Sequence, residues 1–286
     1  MSRTVYVNGA FVSFEQASLS IMDRGFLFAD GIYEVSAVVN ARLVDNEAHL
    51  ARLDRSLKEI RIPNPYGAAE WTKLEEELVR RNGLVEGTVY MQVTRGAAER
   101  DFAFPKDAKP TVVMFTQPKT IVNAPGARTG VSVITVPDLR WQRRDIKSVA
   151  LLAQVLAKQA AAEAGVAEAW MVENGAVTEG GSSTAFIITK DGRIVTRPLS
   201  NAVLPGITRV AVMQLAGESG LAIEERVFTI DEALAAAEAF YTSASSFVMP
   251  VVAIDGKPVG DGKPGPQTQR LRQLYLRLAG APAAAA

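Results

Sequence analysis

The spacing of hydrophobic positions divides the chain into short strands and amphipathic helices. Apolar residues recur at helical intervals between Glu47 and Ile60, as Leu50, Leu53 and Leu57, and predict a helix there. Further helices are expected over 71–82, 149–164 and 206–218. Short apolar or alternating runs predict strands over 4–14 (a hairpin), 32–39, 88–94, 111–116, 131–136, 168–173 and 184–189. Helices and strands mixed in this way indicate an α+β (mixed α/β) fold.

One segment is typical of a connection between domains. Residues 117–130 carry two prolines and two glycines between predicted strands. The sequence therefore predicts a small α/β domain over 1–118, a linker over 119–130 and a larger domain over 131–286.

Composition excludes several classes of function. The 286 residues contain 31 basic and 31 acidic side chains, so no net charge favours nucleic acid or an anionic membrane. No apolar run is long enough to span a membrane, and the first residues lack the apolar core of a signal peptide, so a cytoplasmic protein is expected. Without cysteine and with His49 as the single histidine, disulfides, thiolate chemistry and two-histidine metal sites are excluded, and no metal is expected. Such a chain would rely on Lys, Tyr, Arg and carboxylates, or on a cofactor.

Two residues have the chemistry that pyridoxal phosphate requires. Lys147, in Arg-Arg-Asp-Ile-Lys-Ser, could form an imine, and the preceding cations Arg143 and Arg144 disfavour its protonated form. Glu179, on an expected turn between two strands, could keep a pyridine nitrogen protonated. Most lysines are simply solvated, and a carboxylate on a turn is usually only a turn residue.

Three segments could bind a phosphate. Backbone N–H groups at Ile207 and Thr208 open a predicted helix, although an ordinary helix cap has the same pattern. Arg52, three residues after His49, could clamp an anion with paired N–H bonds or remain solvated. The run 242–246 adds hydroxyl and amide donors, or is a plain polar loop.

Two further clusters could meet a substrate carboxylate. Tyr33 follows a glycine-flanked, aromatic segment, which could equally be the entry to a core strand. Arg100 lies on a charged loop after a strand, where arginines are commonly solvated.

Taken together, the segments resemble the fold-type IV pyridoxal-phosphate-dependent aminotransferases, and within them the branch specific for D-amino acids. Seven motifs carry this resemblance in the same order: 23–35, 49–53, 92–96, 145–148, 157–159, 177–180 and 206–209. Any one of them is unspecific, whereas seven in order are highly specific.

The resemblance implies a role for each candidate residue. Lys147 would bind pyridoxal 5′-phosphate covalently, Glu179 would pair with the pyridine nitrogen, and Leu204 would pack against the ring. Arg52 would bind the phosphate, helped by the backbone of the following residues: Ile207, Thr208, Ser243 and Ala244. The family architecture implied is a small α/β domain and a larger β-rich domain with the cofactor between them, in a homodimer.

The implied substrate site belongs to a trap for the α-carboxylate, formed by Tyr33 and Arg100 and completed across the dimer interface. Phe102 stands where the best-known members carry a histidine, so carboxylate binding or side-chain preference should differ here. Ala244 replaces a hydroxyl that some relatives place near the phosphate, so that contact would pass to backbone N–H groups, Ser243 or Ser245.

The activity implied is transfer of the amino group of a D-amino acid, such as D-alanine, to 2-oxoglutarate or pyruvate. A branched-chain L-amino-acid aminotransferase or a 4-amino-4-deoxychorismate lyase would share Lys147 and Glu179. A catalytically silent protein that binds the cofactor is a third possibility.

Overall fold

The computed structural model describes residues 3–281, so most of the predicted alanine-rich tail (280–286) lies outside the described residues. The chain forms two compact units. Unit 1 comprises Met1–Thr120 and Ile146–Ala150, and unit 2 comprises Ile121–Asp145 and Leu151–Ala286. These units differ from the predicted domains at 146–150, because the segment that carries Lys147 packs with unit 1. Within residues 3–281 no helix is long and apolar enough to cross a membrane.

Unit 1 is built on an antiparallel sheet. In its described part the sheet has six strands in the order β2-β1-β6-β5-β3-β4. The strands are β1 (Thr4–Val7), β2 (Ala10–Ser13), β3 (Gly31–Val39), β4 (Arg42–Leu43), β5 (Gly87–Thr94) and β6 (Thr111–Pro118). The helices are α1 (Arg24–Phe28), α2 (Asn46–Glu59) and α3 (Ala68–Asn82), and a 3₁₀ turn covers Phe14–Gln16.

The predicted hydrophobic stripe of α2 forms part of the core of unit 1. Leu50, Leu53 and Leu57 are buried against β3, and Trp71 and Leu78 of α3 extend the same core. Their spacing of three or four residues puts them on one helix face. The helix predicted over 47–60 is confirmed.

Glycine ends α3 as predicted. Gly83 adopts a left-handed φ of +57°, and its N–H donates to the carbonyls of Val79 and Arg80. A residue without Cβ takes this conformation at little cost, which is why the helix stops there.

Unit 2 contains a larger, mixed sheet. Over its described residues the sheet has nine strands, with the order β12-β11-β10-β13-β14-β7-β8-β9 and β15 paired to β14. The strands are β7 (Val131–Pro137), β8 (Glu168–Glu173), β9 (Ala176–Gly180), β10 (Thr184–Ile188), β11 (Ile194–Thr196), β12 (Ile223–Glu225), β13 (Glu238–Ser243), β14 (Phe247–Ile254) and β15 (Lys257–Pro258). The helices are α4 (Pro125–Thr129), α5 (Leu152–Glu163), α6 (Ile207–Glu218), α7 (Ile230–Ala235) and α8 (Pro266–Leu278).

Two expectations about local structure differ from the observed chain. The helix predicted from 149 begins at Leu152, because the Val149 N–H donates to the Gly31 carbonyl and keeps that segment extended. Residues within the expected linker form α4, and Ile121 is fully buried in unit 2. The proline- and glycine-rich composition therefore marks a short packed helix and its flanking turns.

Candidate active site

Lys147 lies on an extended segment that pairs with β3 in unit 1. The Tyr33 N–H donates to the Lys147 carbonyl at 3.0 Å, and Ile32 forms a bridge with Ser148. The half-buried Lys147 side chain places Nζ 4.0 Å from the centroid of the Tyr33 ring. Its amine is thus held against an aromatic face, which attracts an ammonium group.

The two arginines before Lys147 are paired with carboxylates in unit 2. Arg143 Nε donates to Asp145 at 3.0 Å, and Arg144 donates to Glu173 at 2.7 Å. Each positive charge therefore has a partner of its own. Adjacency in sequence alone does not make these cations act on the Lys147 amine.

Arg52 is buried in unit 1 rather than solvated. Its Nε and one terminal nitrogen donate to the two carboxylate oxygens of Glu34 at 2.7 and 2.8 Å. His49 Nδ1 lies 2.8 Å from the same carboxylate, which α2 and β3 enclose completely. Burial opposes ionisation of Glu34, but Arg52 and His49 outweigh it and hold the pKa of Glu34 well below its usual range. The guanidinium of Arg52 is therefore fixed in place by an ionised partner.

Glu179 lies within β9 in unit 2, so the prediction that it sits on a turn is wrong. Gly180 pairs with Trp170 of β8, which extends the strand past Glu179. The carboxylate is buried and accepts a hydrogen bond from Arg140. The Leu204 N–H donates to it at 3.2 Å. Burial raises the pKa of Glu179, although Arg140 acts in the opposite direction.

The predicted phosphate segments of unit 2 adjoin one another, and one of them follows a residue that contacts Glu179. Leu204, which contacts Glu179, is two residues before Gly206, the N-cap of α6. A Cβ on Gly206 would lie 2.8 Å from Thr184 Oγ1, and Thr184 pairs with Thr242 at the end of β13. Unit 2 therefore brings the start of α6 next to the β13–β14 loop.

The β13–β14 loop presents hydroxyl groups beside this helix start. Ser243 Oγ and Ser246 Oγ are 2.6 Å apart, and Ala244 lies between them in the loop. Thr242 Oγ1 is buried without a hydrogen-bond partner among the described residues. At α6, Ile207 and Thr208 occupy the first turn, where backbone N–H groups have no partner within the helix.

The proposed carboxylate-binding residues do not all meet within unit 1. Tyr33 stacks on Tyr90 at 5.6 Å and contacts Lys147. Arg100 instead lies 5.3 Å from the Phe28 ring, and Phe102, which is 77% exposed, lies 5.4 Å from the same ring.

Two buried arginines hold the loop that carries Arg100. Arg24 donates to the carbonyls of Asp101 and Phe102. Arg95, which pairs with Asp30 at 2.7 Å, lies 3.5 Å from the centre of the Phe104 ring in the same loop. A surface loop held in this way presents Arg100 and Phe102 outward in a defined position.

Sequence reasoning missed three residues of these clusters: Glu34, Asp138 and Arg140. Glu34 is adjacent to Tyr33 in the resemblance motif, and its position four residues before Val38 on the core face could have marked it as buried. Asp138 and Arg140 follow β7 in a charged segment, and nothing in the sequence connects that segment to Glu179, which is about 40 residues away.

Comparison with known proteins identifies the family of this chain. The model of the Amino-transferase class IV family matches residues 31–254. The D-alanine aminotransferase of Staphylococcus aureus (strain COL) is 40% identical over 274 residues, covering 95% of this chain and 96% of the relative. The D-alanine aminotransferase of Bacillus licheniformis is 41% identical over 270 residues, covering 94% of each.

A solved structure supports the same assignment. The branched-chain aminotransferase of the thermophilic archaeon Thermoproteus uzoniensis, in a structure with norvaline, has a TM-score of 0.87 at 26% identity, covering 98% of this chain and 96% of that one. The fold-type IV class predicted from the sequence is thereby confirmed. With a family match over most of its length and relatives at about 40% identity, the chain belongs to the class IV aminotransferases.

Proposed function

We propose that this protein is a pyridoxal-phosphate-dependent D-amino-acid aminotransferase that moves the amino group of D-alanine to 2-oxoglutarate or pyruvate. The observation that carries the proposal is the half-buried Lys147, which lies on a segment beside β3 and against the Tyr33 ring, in a chain of this family. The D-alanine preference rests on the similarity to D-alanine aminotransferases at about 40% identity over nearly the whole chain. The branched-chain alternative rests on a structural neighbour at 26% identity and is the weaker candidate.

The polar groups present in unit 2 fit pyridoxal phosphate. The buried carboxylate of Glu179 suits a protonated pyridine nitrogen, and the backbone at Leu204 adjoins it. The first turn of α6, at Ile207 and Thr208, suits a phosphate, which would also use Ser243 and the N–H of Ala244.

An unpaired hydroxyl supports the fit. Thr242 Oγ1 is buried with no partner in the described part of the chain, next to the proposed phosphate position. A buried polar atom without a partner is costly, and a ligand oxygen would satisfy it. In unit 1, Arg52 offers a guanidinium that Glu34 orients, and we assign it to the phosphate as well.

The reaction needs a base, an electron sink and a substrate anchor. When bound, pyridoxal phosphate supplies the electron sink and carries the amino group. Lys147 Nζ removes the Cα proton of the amino donor and later returns a proton, because the same amine can act first as a base and then as an acid. The Tyr33 ring, 4.0 Å from Nζ, orients that amine.

The substrate carboxylate would be bound by Tyr33 and by Arg100 of a second copy. Arg100 and Phe102 are presented at the surface of unit 1 by the loop that Arg24 holds. Phe102 places an apolar ring beside Arg100, which leaves the guanidinium as the main donor to the carboxylate in this loop.

A homodimer would cover the exposed apolar side chains near Arg100. Ile21, Phe26 and Phe102 in unit 1 are each more than three-quarters exposed. Apolar side chains of this size at a functional loop are typical of a protein–protein contact. The cytoplasmic location stays a prediction.

The proposal is tested by reconstituting the protein with pyridoxal phosphate and supplying 2-oxoglutarate with either D-alanine or L-leucine. We expect a visible band at roughly 410–420 nm and pyruvate formation from D-alanine. Amino transfer from L-leucine alone would favour a branched-chain aminotransferase. A visible band without turnover of any amino donor would favour a catalytically silent protein that binds the cofactor.

Replacing Lys147 tests the assigned amine directly. Lys147→Ala should lose both the visible band and amino transfer, because no other group is assigned to bind the cofactor covalently. Lys190→Ala, which changes an exposed lysine of the β10–β11 turn, is the matched control and should keep both. An unchanged band in Lys147→Ala would contradict the assignment.

A further inference from the structure

Arg140 belongs to a buried ion cluster that ends on Glu179 in unit 2. One terminal nitrogen of Arg140 donates to Glu179 Oε1. Its Nε and other terminal nitrogen donate to the two oxygens of Asp138 at 3.0 and 2.7 Å. Thr178 Oγ1 donates to Asp138 at 2.6 Å. The guanidinium therefore bridges two carboxylates that are themselves almost completely buried.

Local backbone structure places Arg140 at this position. Asp138 directly follows β7, and its N–H donates to the carbonyl of Val172 on β8. The Asp138 carboxylate also accepts the backbone N–H of Arg140 at 3.1 Å. An aspartate that bonds the backbone two residues ahead forms a tight turn, and the turn directs the Arg140 side chain at β9.

Burial and Arg140 act on the charge of Glu179 in opposite directions. Burial raises the pKa of Glu179, since a desolvated carboxylate is unfavourable, while Arg140 favours the ionised form. Burial also opposes ionisation of Asp138, but Arg140 outweighs it and lowers the pKa of Asp138. Without the guanidinium, burial and the nearby Asp138 charge would both raise the pKa of Glu179.

We propose that Arg140, anchored by Asp138, is a positioning residue that keeps Glu179 ionised. The proton that Glu179 would share with a pyridine nitrogen would then reside on the ring and not on the carboxyl group. The inference rests on the proposed function, because it takes Glu179 as the partner of the cofactor nitrogen. A ring nitrogen that carries the proton withdraws more electron density from the reacting carbon. Arg140 would then act on the reaction through Glu179, without touching the substrate.

Asp138 explains how a cation could contact the carboxylate that would pair with a pyridinium. An arginine alone would repel a second positive charge, whereas the Arg140–Asp138 pair has no net charge and still donates to Glu179. Other charged groups in the cluster are also paired. Arg144 lies 3.2 Å from Asp138 and 2.7 Å from Glu173. Arg197, which donates to the carbonyl of Val177, adds a positive charge that favours ionised Glu173.

The test uses the holoenzyme loaded with pyridoxal phosphate labelled with ¹⁵N in the ring. In the wild-type protein the ring nitrogen should resonate in the pyridinium range at neutral pH. In Arg140→Gln the signal should shift towards neutral pyridine, because Glu179 then retains the proton. Arg140→Lys keeps a positive charge and should restore the pyridinium signal at least in part.

A matched control separates this effect from general destabilisation. Arg209 is a buried arginine of α6 that pairs with Glu225 at 2.6 Å. Arg209→Gln should leave the ring-nitrogen signal unchanged even if it lowers the thermal unfolding temperature. A pyridinium signal that persists in Arg140→Gln would overturn the inference.

A second measurement does not depend on cofactor loading. In the apoprotein labelled with ¹³C at glutamate carboxyls, Glu179 should be ionised in the wild type and protonated in Arg140→Gln at neutral pH. An ionised Glu179 in the variant would also overturn the inference. If the wild type neither binds the cofactor nor transfers an amino group, the proposed function fails. If it does both and the ionisation of Glu179 is the same with and without Arg140, the role of Arg140 is wrong and the proposed function still holds.

Discussion

Two glutamates of unit 1 are fully buried, and their partners give them opposite charge states. Glu34 lies between Arg52 and His49, whose combined effect outweighs burial and keeps its pKa low. Within the described residues Glu75 bonds to the neutral side chains of Asn46, at 2.9 Å, and Ser36, and the negative charge of Glu34 lies near it. Burial therefore dominates and raises the pKa of Glu75 to about 8. The same side chain is therefore a fixed anion in one position and a neutral carboxylic acid in the other.

Glu75 makes the stability of the protein depend on pH in a defined direction. Its folded-state pKa of about 8 exceeds the usual value of 4.5, so the folded state binds more protons than the unfolded state between these values. Stability should therefore fall as pH rises, by up to about 1.4 kcal/mol per pH unit for one linked proton. Glu75→Gln removes this proton and should lose less stability between about pH 6 and about pH 8, as measured by urea unfolding.

An exposed glutamate of the same helix provides the control for this prediction. Glu70 lies in the first turn of α3, and Glu70→Gln should keep the wild-type pH dependence. If the free energy of unfolding falls equally steeply with pH in Glu75→Gln and in the wild type, Glu75 is not protonated in the folded protein.

At the scale of elements, α8 connects three parts of unit 2 through one buried side chain. Arg272 donates to the carbonyls of Ser246 and Val248, on either side of the start of β14. Its other terminal nitrogen donates to the carbonyls of Ile121 and Val122. Burial lowers the pKa of Arg272 to about 10, so the guanidinium stays charged at neutral pH. It thereby fixes the loop that carries the proposed phosphate donors.

Arg272→Met should destabilise unit 2 and loosen that loop. The substitution leaves several buried carbonyls without a donor, at a cost of about 1–3 kcal/mol for such a group, so we expect a loss of roughly 3 kcal/mol in the free energy of unfolding. Arg270→Met, an exposed position on the same helix, should change it by less than about 0.5 kcal/mol. Urea unfolding of both variants measures this difference, and similar values would show that the carbonyl contacts contribute little.

The elements were more predictable than the contacts between them. The stripe of α2 and the glycine end of α3 follow from spacing and φ preference, which are local properties. The start of α5 was misjudged, because Val149 bonds to Gly31, more than 100 residues earlier in the chain. The Arg140–Glu179 contact was missed for the same reason. Local patterns do not encode which distant strand a loop faces.

At the scale of the whole molecule, the exposed apolar side chains indicate where a second copy would bind. In unit 1 they include Phe102 on the loop of Arg100, and in unit 2 they include a stripe on α5 at Leu152, Val155 and Leu156. The spacing of three and four residues puts this stripe on one helix face, which the sheet of unit 2 does not cover. An uncovered apolar face on each unit supports a homodimer with an extensive interface.

Mixing two inactive variants tests whether each active site uses residues from both copies. Arg100→Ala should lose most activity with D-alanine because the carboxylate loses its cation, and Lys147→Ala should be inactive because it lacks the amine. In a mixed dimer, one of the two sites would combine Lys147 of one copy with Arg100 of the other. Random assembly makes half of the dimers mixed, so co-expression should restore about a quarter of wild-type activity. If Arg100 serves the site of its own chain, no mixed site is intact, and activity should remain at the level of the separate variants.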